Sequence, residues 1–131
     1  MSTLESIKAA MAATNALFVA EVILKRNYDA LDHVYTTNAR ILPPGAPMVS
    51  GLAEIKKFWA TFVESANATG GSLESVDAMQ AGNDIVEIGK AVLQVQPAPG
   101  QTASVDVKYV VYWREEDGHW KWHVDIWNLD A

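Results

Sequence analysis

The chain has 131 residues, half of them apolar and a fifth charged, which suits one globular domain with a sizeable core and excludes a disordered chain. A formal net charge of −6, with ten lysines and arginines and no basic run, argues against nucleic acid and anionic membrane surfaces as partners. With no cysteine there is no disulfide framework, thiol nucleophile or thiolate zinc site, and the expected compartment is the reducing cytoplasm.

Ala9 to Leu24 is Ala-rich and apolar, like a targeting peptide, but Glu5 precedes it and Asn15 and Glu21 interrupt it. It also lacks a basic opening beyond Lys8 and is too short to span a membrane. It reads as an amphipathic helix. Ser2 with Glu5 three residues on forms a capping box, and Leu4, Ile7, Met11, Phe18 and Val22 recur at helical spacing to about Lys25. Asn27 suits a left-handed C-terminal position, and Asp29 to Tyr35 predicts a short second helix with Ala30, Leu31 and Val34 inward. Ala39 to Leu42 is a short apolar strand, Pro43 to Pro47 a rigid irregular loop, and Met48 to Ser50 a brief pairing. Gly51 opens a helix from Leu52 to about Ala68, with Ile55, Phe58, Trp59, Phe62 and Val63 on one stripe, ended by Thr69-Gly70-Gly71.

Everything from Ser72 onward is strand-like: Leu73 to Gln80, a turn at Gly82-Asn83, Ile85 to Gln96, a Pro97 to Gly100 loop, then a hairpin from Val105 to Asn128. Helices followed by a meander predict an α+β domain with the helices on one face of the sheet. In the strand Ile85 to Gln96, one face carries Ile85, Leu93 and Val95 and the other Val86, Ile88 and Val92. Helices cover only one face, so the second is expected to meet another subunit in a homodimer.

In the hairpin, Asp117-Gly118 suits a type I′ turn and makes Glu116 and His119 the last pair. A regular register then sets Tyr112 opposite His123, Val110 opposite Asp125 and Lys108 opposite Trp127 on one mixed face. The other face is very apolar: Val107, Tyr109, Val111, Trp113, Trp120, Trp122, Val124 and Ile126.

Three features coincide: a helix followed by Tyr35, Asn38-Ala39 and Pro43-Pro44-Gly45; Gly51 with Ile55 and Phe58-Trp59; and Tyr109 to Trp113, Asp117-Gly118, Trp120-Lys121-Trp122 and Asp125 to Asn128. Together they resemble the nuclear transport factor 2-like superfamily in its SnoaL-like, ketosteroid-isomerase-like branch, over nearly the whole chain. The resemblance implies a cystatin-like cone, a curved antiparallel sheet wrapped around a long N-terminal helix with a pocket between, often dimeric through the outer face. It implies no single function, because isomerases, cyclases, dehydratases and association domains share the scaffold. The base and oxyanion positions of ketosteroid isomerases correspond by spacing to Pro43, approximately Val19, and Val110, none of which moves a proton, so steroid isomerisation is not expected.

The same alignment turns the mixed face inward and leaves Tyr109, Val111, Trp113, Trp120 and Trp122 as the outer, dimer-forming face. The expected catalytic pair is then His123 and Asp125, about 7 Å apart along the strand, with Lys108 or Tyr112 polarising a carbonyl. The alternative makes Asp125 a structural partner of Lys108 and His123 a half-exposed sheet residue. Glu87, expected opposite Tyr112, is a pocket acid or a strand-edge carboxylate bonded to Tyr112 or Arg114, and Tyr35, Met48, Trp59, Phe62 and Trp127 supply an apolar lining. His33, His119 and His123 do not form a metal site, and no cofactor motif is present. Two functions stand open: a proton-transfer enzyme acting on an apolar carbonyl compound, and a non-catalytic dimeric ligand-binding or association module.

Overall fold

The computed structural model describes residues 3–130. Ser2 of the expected capping box lies outside them. Thr3 is the N-cap, its Oγ1 accepting from the Ser6 amide at 3.1 Å. Helix α1 (Leu4–Leu17) continues without a break into a wider π-helical stretch, Phe18–Leu24. This run is apolar and long enough to cross a bilayer by composition, yet Ile7, Met11, Phe18, Val22 and Ile23 are buried in the core of a soluble fold. The left-handed residue after it is Arg26 (φ 57°) and not Asn27, and a 3-10 helix, Tyr28–His33, stands where the second helix is predicted.

Strand β1 (Tyr35–Leu42) begins four residues earlier than its apolar run, and β2 (Val49–Ser50) pairs with its end. Helix α2 (Leu52–Ala66) stops at Asn67, which takes the left-handed conformation (φ 49°) and accepts the role expected of Thr69-Gly70-Gly71. Those three residues instead open β3 (Ala68–Ala81), which is followed by β4 (Asp84–Ala98), β5 (Gln101–Glu116) and β6 (His119–Leu129). The six strands form one sheet in the order β2-β1-β6-β5-β4-β3, with β1 and β6 parallel and the rest antiparallel. The α+β architecture, with both helices on the concave face of an unclosed curved sheet, is the one expected.

The hairpin closes as the dipeptide predicts. Asp117 and Gly118 both have positive φ, and Glu116 pairs with His119. The regular register holds only as far as Trp113 opposite Trp122. A β-bulge at His123 then adds one residue to β6, so Tyr112 faces Val124, Val111 faces Asp125, Tyr109 faces Trp127 and Lys108 faces Asn128. Glu87 likewise pairs with Val111 and not Tyr112, because β4 and β5 are irregular before the Ala98–Gln101 closure.

Along β5, and along β6 as far as the bulge, the faces are the reverse of those expected; beyond the bulge Asp125 and Trp127 face inward and Ile126 outward, as expected. Tyr109, Val111, Trp113, Trp120 and Trp122 are buried in the core beneath the helices, so they cannot be the dimer surface. The physical reason is transfer energy: burying each such side chain contributes about 1.5–3 kcal/mol, and the helices are there to cover them. The convex face carries Lys108, Tyr112, His123 and Val110, with Ile88, Val110 and Ile126 exposed in one cross-strand row.

Candidate active site

Three aromatic layers build the concave floor. Trp113 meets Trp122 edge-on at 6.1 Å, Phe18 reaches both Trp59 and Trp122 at 5.0 Å, and Trp59 stacks on Trp127 at 5.4 Å and 20°. They leave a cavity of about 180 Å3, lined by Trp59, Phe62, Tyr109, Val111, Trp127 and one carboxylate, Asp125.

Asp125 is buried and is held from β1: the Tyr35 hydroxyl donates to Oδ2 at 2.6 Å, and Trp59 Nε1 donates to the Tyr35 oxygen at 3.1 Å. Oδ1 makes no side-chain hydrogen bond among the described residues. Burial raises the carboxyl, the Tyr35 bond partly counters it, and the charge of Glu87 adds to it, leaving Asp125 pushed up to about 7. Tyr35 itself is held well above the usual phenol range, first by burial and then by the charge of Asp125, so it stays a donor. Asp125 is thus a group divided between acid and base forms near neutrality.

A second buried carboxylate stands two strands away in the same cross-sheet row, Glu87–Val111–Asp125. Glu87 accepts from Trp113 Nε1 at 3.0 Å and from the Tyr109 hydroxyl at 3.3 Å, and neither Tyr112 nor Arg114 is its partner. Tyr109 is raised above the phenol range by burial and then by Glu87. Its ring lies over Gly89, where a Cβ would come within 2.2 Å of Cζ. That glycine is the close-approach position that allows the tyrosine to reach Glu87.

The structure therefore brings together Tyr35, Trp59, Asp125 and Trp127, and sets Glu87 beside them. It separates the expected catalytic pair. His123 lies on the convex face, with Nδ1 2.7 Å from Thr36 Oγ1 and Nε2 3.2 Å from Arg114 Nη1, and burial followed by Arg114 lowers it from its usual range. Tyr112 donates to Asp84 at 2.6 Å beside it, and Lys108 is exposed on the same side, so neither reaches the cavity and Asp125 has no lysine partner. Met48 is exposed in the loop before β2 and is not among the lining residues. Val110 also faces outward, which removes its correspondence to a pocket position. Missed were Tyr109 as a wall residue and Asn15, buried on α1, whose Oδ1 accepts from Trp122 Nε1 at 3.1 Å. Asn15 interrupting an apolar helical face was the signal that a buried partner existed.

Comparison with known proteins bears on the fold. A ketosteroid isomerase-like protein from Erwinia carotovora atroseptica superposes with a TM-score of 0.77 at 16% identity, over 98% of this chain and 96% of that one. A nuclear transport factor 2-like protein from Salmonella enterica gives 0.81 at 12% identity, over 98% and 94%. A hexachlorocyclohexane dehydrochlorinase from Novosphingobium barchaimii gives 0.75 at 15% identity, over 95% and 86%. No curated protein matches by sequence. The SnoaL-like domain family matches residues 16–123, and with the helix-filled cone now in view, the chain belongs to the SnoaL-like family of the nuclear transport factor 2-like superfamily.

Proposed function

We propose that the protein is a proton-transfer enzyme of the isomerase, cyclase or dehydratase type, acting on a compact apolar carbonyl compound, with Asp125 as its acid and base. The observation that carries this is a buried carboxylate on the wall of an apolar cavity, fixed through one oxygen by Tyr35 and free at the other. In its basic form Asp125 takes a proton from carbon next to a carbonyl and returns it at a second position, regenerating itself. Tyr35 orients the carboxylate and stabilises its charge, and the Trp59–Trp127 stack excludes water. The cavity is smaller than the several hundred Å3 of a drug-sized ligand site, which restricts the substrate to a compact molecule. The cytoplasm remains the proposed compartment for this cysteine-free chain.

A screen of enolisable apolar ketones and lactones for solvent deuterium incorporation, read by NMR, tests the reading. Exchange by the wild type that is lost in Asp125→Asn supports it, and equal exchange by both overturns it. The second reading, a binding module without turnover, is favoured by one observation: Asp125 and Tyr109 are the only ionisable side chains on the cavity wall among the described residues, so no cation is aimed at a developing oxyanion. Ligand binding by both proteins without exchange would select it.

We further propose a homodimer through the convex face, carried by the exposed row Ile88, Val110 and Ile126 in place of the buried tryptophans. On the adjoining row Lys90 stands between Lys108 and Glu74, a pattern of mixed charge suited to a second copy of the same surface.

A further inference from the structure

Between α1 and the concave side of β3 lies a separate groove of about 640 Å3, whose walls include Met11, Ala12, Asn15, Ser75 and Asp77 and whose floor includes Glu87. It shares Val19, Gly71, Ser72 and Leu73 with the smaller cavity but not Asp125. Glu87 is 1% exposed, and its two oxygens are met by neutral donors alone, Trp113 and Tyr109. Among the described residues no lysine, arginine or histidine is within ion-pairing distance of it. The one basic side chain on the groove, Lys8, sits at the rim, half exposed and 4.0 Å from Glu5.

A buried carboxylate without a countercharge is costly, and the cost falls when a cation is brought to it. Two neutral donors leave lone pairs on the carboxylate free to accept further hydrogen bonds. The groove walls offer Asp77 as a second negative charge near its mouth, so an anion would be repelled. We infer that the groove between α1 and β3 is a second ligand site, in which Glu87 anchors the ammonium end of a small organic amine. This site is centred on Glu87 and adjoins the Asp125 cavity without including Asp125.

The test is a two-dimensional NMR titration of the full chain with n-butylammonium chloride, and with n-butanol as the neutral counterpart. Saturable shifts in the amides of residues 8–16 and 75–78 are expected, with an affinity on the order of millimolar. Butanol and the isosteric variant Glu87→Gln should each weaken binding by about tenfold or more, since both remove the charge pair. Ala12→Trp, on an exposed helix position, should fill the groove and abolish binding while Glu87 stays intact. Absence of saturable shifts, equal binding of butanol, undiminished binding in Ala12→Trp, or shifts confined to Trp59 and Trp127 would each overturn the site. If Glu87→Gln does not fold, the alcohol comparison and Ala12→Trp still decide the question.

Discussion

The Tyr35 hydroxyl meets Asp125 at 2.6 Å across 90 positions of sequence, tying the first strand to the last at the buried floor of the cone. The carboxyl it touches is pushed up to about 7, above the value of about 4 it has in the unfolded chain. Between these values the folded state holds a proton that the unfolded state has released, so stability falls as pH rises from about 4 through 7 and then levels. Asp125→Asn removes that decline. Thermal unfolding from pH 4 to pH 8 should show a wild-type melting temperature that drops by roughly 5–10 °C more than the variant's.

Tyr35→Phe leaves Oδ2 of Asp125 without its donor and Trp59 Nε1 without its acceptor. Because the Tyr35 bond lowers Asp125, its loss should move the Asp125 titration above 7. A destabilisation of about 1–3 kcal/mol by denaturant unfolding is expected at pH 8, with less at pH 5 where the carboxyl is already neutral.

The two members of the expected catalytic pair face opposite sides of the sheet, so their mutants should behave differently. Once exchange of a substrate is found, Asp125→Asn should lower its rate by about 100-fold or more, whereas His123→Ala should leave it within about threefold. Loss of the Thr36 and Arg114 contacts in His123→Ala should appear in stability alone. A rate that collapses in His123→Ala would contradict the site.

Gly89→Ala places a methyl inside the van der Waals shell of the Tyr109 ring, which is itself buried. It should cost roughly 1–3 kcal/mol and loosen the Tyr109 bond to Glu87. Adding Tyr109→Leu should restore part of the loss, a coupling that a double-mutant cycle measures.

Val110→Asp sets a charge in the middle of the exposed Ile88–Val110–Ile126 row without touching the core. Light scattering at micromolar concentration should report a dimer for the wild type and a folded monomer for the variant. Identical masses for the two proteins would refute the convex interface.

Much of the fold was legible in local chemistry. Asp117-Gly118 placed the turn, the 3.6-residue stripe of Ile55, Trp59 and Val63 placed α2, and the alternation of Tyr109, Val111 and Trp113 placed β5. The direction of the face carrying Tyr109, Val111, Trp113, Trp120 and Trp122 was also legible, since these large apolar side chains belong in a core before they belong in an interface. Spacing arguments drawn from Val110 turned that conclusion around. The pairing of Tyr35 with Asp125 had no local signal, because it depends on β1 lying parallel beside β6. Asp125 and Trp127 do line the cavity, but they reach it through the bulge and not through the regular register used to place them.

The extra residue at His123 acts as a frameshift written in three dimensions. Upstream, Trp120 and Trp122 face the helices; downstream, Asp125 and Trp127 face them as well, although odd and even positions have exchanged roles between the two halves. Were His123 drawn into the ladder opposite Tyr112, the downstream half would turn over, carrying the cavity's carboxylate and its stacked tryptophan to the outside and bringing Val124 and Ile126 in. Deleting His123 outright would remove the bulge and leave Asp125 and Trp127 facing the helices, so the polarity of the strand's end rests on the bulge that holds this residue out of the ladder.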